Sequence, residues 1–199
     1  MKADVLPWFV AIGASGSDGL RDIQALLAHL ETPAHAVILV VLHRPWDQPS
    51  NLRAVLARCC NLPVVIAAEG ERFEAGTVYI GEPEAHLTLA ARSFGELIED
   101  PQRAHRNRNV DLLFGSVAAH AGQRMIGVVL SGSLDDGSRG LAAIHAASGK
   151  TMVLKPEPST ARGMPENAID YDGPIDTIGG ATEIADAINA LLAPRPIEG

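Results

Sequence analysis

Cysteine is almost missing from this sequence: Cys59 and Cys60, side by side, are the only two in 199 residues. Neighbouring cysteines rarely bridge each other, so a disulfide framework is excluded and two free thiols in a reducing compartment are expected. No apolar run reaches the roughly 18 residues that a membrane-spanning helix requires. The opening MKADVLPW has neither an apolar signal region nor a cleavage site, so a cytoplasmic location without membrane insertion is predicted. Positive charge is also short. A net charge of −8 argues against a general binder of nucleic acid or of anionic membrane. The basic stretch 103–108 (RAHRNR) reads as a solvated loop. No pair of histidines has ligand spacing with an accompanying carboxylate, so no metal is expected and no other cofactor is called for.

Apolar residues make up 47% of the chain and charged residues 20%, the composition of a globular protein with a substantial core. One domain, 1–199, is expected. The apolar runs 8–12, 36–42, 64–68 and 125–131 read as strands, and the absence of alternation in 36–42 (AVILVVL) marks a strand buried on both faces. Leu20, Ile23, Leu26, Leu27 and Leu30 recur at helical spacing, which predicts a helix over 19–31 capped by Ser17 or Asp18. Further helices are expected over 140–148 and 182–192, and around Val110, Leu113, Phe114 and Val117. Segments 77–81 and 86–91 look like the arms of a hairpin. Strands alternating with helices imply an α/β fold. Its sheet is doubly wound and mainly parallel, with helices on both faces and an antiparallel hairpin at the edge.

Three polar groups stand directly after apolar strands. Ser15 lies in the turn Gly13-Ala14-Ser15-Gly16-Ser17, His43 follows 36–42, and Asp136 belongs to the Asp135-Asp136-Gly137 turn after 125–131. A serine at such a turn exposes its hydroxyl at the carboxyl edge of the sheet, beside helix N–H groups that can stabilise an oxyanion. A histidine can serve as general base, and an aspartate can fix its tautomer. Each group also has a bland reading, as a helix cap or a turn residue, Asp135 included. Gly13, Gly16 and Gly19 could alternatively cradle a dinucleotide pyrophosphate. That reading expects an acidic residue after the second strand, where the sequence has His43-Arg44.

The chain resembles the catalytic domain of the chemotaxis protein-glutamate methylesterases. The similarity is carried in order by Ile12-Gly13-Ala14-Ser15, His43-Arg44-Pro45, Gly76-Thr77-Val78-Tyr79-Ile80 and His86-Leu87-Thr88-Leu89. It continues through Val110–Ala118 (VDLLFGSVA), Gly127–Gly132 (GVVLSG), Asp136-Gly137, Pro156-Glu157 and Gly163-Met164-Pro165. The resemblance implies a serine esterase with Ser15 as nucleophile, His43 as base and Asp136 as the group that orients it. Backbone N–H groups at Gly16 and Ser133 would receive the oxyanion. It also implies hydrolysis of glutamate γ-methyl esters on the cytoplasmic helical region of chemoreceptors, with deamidation of receptor glutamines as a related activity. No receiver domain is expected within this length, which leaves open a separate regulatory protein. The chain departs from the family pattern at Ser17-Asp18, at Ser133-Leu134 and at Glu166. A repurposed or catalytically impaired binding module on the same fold is the alternative that these departures leave standing.

Overall fold

The computed structural model describes residues 7–31, 35–45, 50–100, 102, 108–157, 161–171 and 173–193. Most of the basic stretch (103–107) and the Pro194/Pro196 tail lie outside the described residues. Nine strands are described: β1 (Trp8–Ser15), β2 (Ala36–His43), β3 (Val64–Ile66), β4 (Thr77–Ile80), β5 (Ala85–Leu89), β6 (Gly95–Glu99), β7 (Met125–Val129), β8 (Lys150–Leu154) and β9 (Thr177–Gly179). Six helices accompany them: α1 (Gly16–His29), α2 (Leu52–Leu56), α3 (Asn109–His120), α4 (Ser138–Ala146), α5 (Met164–Asp170) and α6 (Ala181–Leu192).

Seven strands form one parallel sheet in the order β3-β4-β2-β1-β7-β8-β9. Alternate residues of β1 feed two separate apolar layers, as the two-residue period of a strand requires. Val10, Ile12 and Ala14 pack with Ile23, Leu26, Leu27, Ile184 and Ile188 of α1 and α6. Phe9 and Ala11 pack on the opposite face with Val110, Phe114, Leu141, Ile144 and Met164 of α3, α4 and α5. Helices therefore cover both faces, which is why the central strands read as unbroken apolar runs. From β1 the chain builds the sheet outward through β2, then returns to the other side of β1 with β7. That reversal puts a topological switch point between β1 and β7, and open α/β sheets bind their ligands at the carboxyl ends of the strands near such a point.

The expected hairpin exists, but with different strands. Residues 77–80 are buried along their whole length and lie between β2 and β3, so they belong to the main sheet as β4. The antiparallel pair is β5 with β6, a separate two-stranded sheet in which the Thr88 hydroxyl donates to the Glu96 carbonyl at 2.8 Å. Helix α1 begins three residues earlier than its apolar stripe suggests. At Gly16 the chain adopts φ +70°, a left-handed turn open to glycine, and it passes from strand to helix within that residue. Neither Ser17 nor Asp18 is the cap; Ser15 occupies that position without a side-chain capping bond. Helix α5 was not foreseen from the sequence. Pro165 in its first turn and Glu166, whose carboxylate accepts from the Gly163 N–H at 2.9 Å, are what start it.

The candidate active site

Parallel pairing of β1 and β2 places Ser15 and His43 opposite each other as the last register pair of the two strands. On the other side, β7 ends beside Ser15, whose N–H donates to the Ser131 carbonyl at 2.9 Å. A Cβ added at Gly132 would lie 2.8 Å from Ser15 Cβ, so the loop after β7 approaches the serine closely. That loop continues through exposed Ser133 and Leu134 to buried Asp136. Three strand ends thus bring the candidate residues to one edge of the sheet.

The tightest link among them joins His43 and Asp136. His43 Nε2 lies 2.5 Å from Asp136 Oδ2, with the imidazole 18% exposed and the carboxylate 2% exposed. The same carboxylate accepts two backbone N–H groups at the start of α3, from Val110 to Oδ2 at 2.9 Å and from Asp111 to Oδ1 at 2.8 Å. Helix N-termini favour anions through their free N–H groups and their dipole, which accounts for a carboxylate at such burial. An acceptor of this kind fixes the proton on His43 Nε2 and leaves the Nδ1 lone pair for a second partner. Among the described residues no hydrogen bond joins the Ser15 hydroxyl to that ring. Catalytic hydrogen bonds are often long before substrate arrives.

Ser15, Gly16 and His43 line a cleft of about 570 Å³, walled by Arg44, Glu82, His86 and Asp100 among others. Arg44 was not singled out from the sequence. Its guanidinium ties the end of β2 to the loop after β4, donating to the Gly81 carbonyl at 2.8 Å and to the Ser50 hydroxyl at 2.9 Å. Burial pushes its pKa down, and Glu82 opposes that shift. A second histidine–carboxylate pair, His86 with Asp100 at 3.1 Å, is buried in the same wall. In the sequence His86 stands out only as part of the His86-Leu87-Thr88-Leu89 resemblance, which gives it no role. Among the described residues no group of three or more His, Cys, Asp or Glu is placed to hold a metal ion.

The sequence departures have physical accounts. Asp18 is 68% exposed and pairs with Arg21 on α1, so solvent and a guanidinium offset its charge. Leu134 takes the left-handed conformation, φ +70°, at 58% exposure, and the Asn167 side-chain amide donates to its carbonyl at 2.7 Å. Asp135 does not cap α4 with its side chain; it is exposed and lies 3.5 Å from Arg139.

A family model for the CheB methylesterase domain matches residues 10–188. The chain belongs to the CheB methylesterase family. It is 34% identical over 172 residues to the protein-glutamate methylesterase/protein-glutamine glutaminase of Yersinia pestis bv. Antiqua, covering 85% of this chain and 49% of that one. The protein of the same name from Salmonella typhimurium is 32% identical over 182 residues, covering 89% of this chain and 49% of that one. The chain therefore spans about half the length of the curated relatives it matches. The crystal structure of the Thermotoga maritima CheB methylesterase catalytic domain superposes with a TM-score of 0.84 at 27% identity, covering 94% of this chain and all of that one. The fold of this family member is that of the CheB catalytic domain. No described helix is long and apolar enough to cross a membrane.

Proposed function

We propose that this chain is a methylesterase catalytic unit that hydrolyses glutamate γ-methyl esters on chemotaxis receptors through Ser15, His43 and Asp136. The observation that carries the reading is the partly buried 2.5 Å contact between His43 and Asp136, with His43 in register opposite Ser15. In this reading Ser15 Oγ attacks the ester carbonyl carbon while His43 Nδ1 takes the hydroxyl proton. Asp136 holds the ring and stabilises the imidazolium that forms. The tetrahedral oxyanion is received by backbone N–H groups at Gly16, at the start of α1, and at Ser133 in the loop after β7. His43 then protonates the departing methanol, and a water activated by the same ring releases the glutamate side chain from Ser15.

The cleft suits a side chain presented by a folded surface, because it is open and lies at one edge of the sheet. The name shared by the relatives couples methylesterase with glutaminase, and the same acyl-enzyme chemistry would serve a receptor glutamine. A fluorophosphonate probe tests the assignment of the nucleophile. We expect mass spectrometry to place the adduct on Ser15, and His43→Gln to slow labelling on the order of a thousandfold. An adduct on another serine, or equal labelling of the His43 variant, would overturn it.

A further inference from the structure

Asp136 does not stand alone at the start of α3. One of the two residues whose N–H it accepts, Asp111, sends its own carboxylate to the other helix. Asp111 Oδ1 accepts the Gly137 N–H at 3.0 Å and the Gly140 N–H at 2.8 Å, at the N-terminus of α4. Its other oxygen lies 3.5 Å from Arg139 Nη1. The two helices thus exchange carboxylates: the turn before α4 caps α3 with Asp136, and α3 caps α4 with Asp111. The exchange needs close approach, and a Cβ at Gly140 would lie 2.5 Å from Phe114 Cβ and 3.1 Å from Asp111 Cα. Gly137, between the two caps, adopts φ +96°. Burial pushes the Asp111 carboxyl up, the Gly140 N–H pulls it down, and the neighbouring Asp136 charge pushes it up again.

We infer that Asp111 is a positioning residue for the hydrolytic site: by pinning Gly137 and Gly140 to α3 it holds the turn that sets Asp136 Oδ2 on His43 Nε2. The inference rests on the reading of Asp136 as the group that orients His43. Four N–H···O bonds fix the turn at both ends, two from each helix start, and they leave the Asp136 side chain little freedom to swing away from the ring. Asp111 touches no reacting atom. It acts through geometry, so an oxygen in place matters more than its charge.

Two variants separate this from ordinary helix capping. Asp111→Asn keeps an oxygen for the two N–H groups, whereas Asp111→Ala removes it. The first readout is the low-field proton resonance of the His43–Asp136 hydrogen bond, which does not depend on turnover. The second is the kcat and KM of methanol release from methylated receptor fragments. We expect Asp111→Asn to keep the resonance and stay within a few-fold of the parent kcat. Asp111→Ala should lose or shift the resonance and lower kcat on the order of tenfold to a hundredfold, with KM little changed. A folded Asp111→Ala with the parent resonance and kcat would overturn the inference. So would an Asp111→Asn that loses the resonance. If the parent itself released no methanol, the esterase reading would fail while the resonance still decided the role of Asp111.

Discussion

Asp136 accepts an imidazole and two backbone N–H groups while 2% exposed, and its chemistry follows from accepting at every one of these contacts. Asp136→Asn places an amide where a carboxylate accepted. The His43 proton then moves to Nδ1, the nitrogen that has to take the serine proton. We expect kcat to fall on the order of ten-thousandfold, and the melting temperature to drop because an amide NH2 cannot accept the Val110 N–H that Oδ2 accepted. Steady-state kinetics beside thermal melting reads both. Leu134 gives the opposite test. Its left-handed backbone costs roughly 1–2 kcal/mol and its exposed side chain recovers little, so Leu134→Gly should leave the melting temperature unchanged or slightly raised. A clear drop would show that Leu134 packs against something. Asp176 governs acid stability at the start of β8. Burial pushes its carboxyl up, but the Lys150 ammonium at 2.9 Å and the Thr151 N–H at 2.9 Å outweigh that and hold it below its ordinary value. A depressed carboxyl contributes stability that is present above its ordinary pKa and lost as pH falls through the depressed one. Between about pH 5 and about pH 3 the parent should therefore lose more melting temperature than Asp176→Asn.

At the scale of elements, the strand ends were legible and the helix contacts were not. Unbroken apolar runs ending in Ser15 and His43 mark strands covered on both faces, and parallel register brings their last residues together. Asp136 was legible as a polar group after a strand, but its fixation by α3 was not, because that depends on how α3 and α4 cross. Asp111 gave only the weak sign of an acidic residue in a first helical turn. The segment 77–80 misled because Thr and Tyr among Val and Ile mimic alternation, although all four side chains are buried. Helix α5 has seven residues and offers too few turns for periodicity to show. β1 and α3 approach closely at Gly13, where an added Cβ would lie 2.2 Å from Val110 Cγ1. Gly13→Ala should push α3 off β1, cost about 1–3 kcal/mol by overpacking, and slow hydrolysis because α3 carries the N–H groups that hold Asp136. Chemical denaturation beside kinetics reads both effects; a stable variant with parent activity would show that α3 can shift without disturbing the site.

For the whole molecule, the order β3-β4-β2-β1-β7-β8-β9 explains why the candidate site lies where it does. Ser15 stands at the reversal of winding direction between β1 and β7, with the loop after β7 close on one side and, on the other, a cleft lined by the end of β2 and the loop after β4. Family membership and the TM-score of 0.84 to the Thermotoga maritima catalytic domain fix the fold, and the His43–Asp136 contact lies at that edge of the sheet. Ester hydrolysis by Ser15 is read without a proxy by methanol release from a methylated chemoreceptor fragment. The parent chain should release methanol steadily, and Ser15→Ala should release none above the uncatalysed background. Equal release from both, or none from a folded parent, would contradict the account.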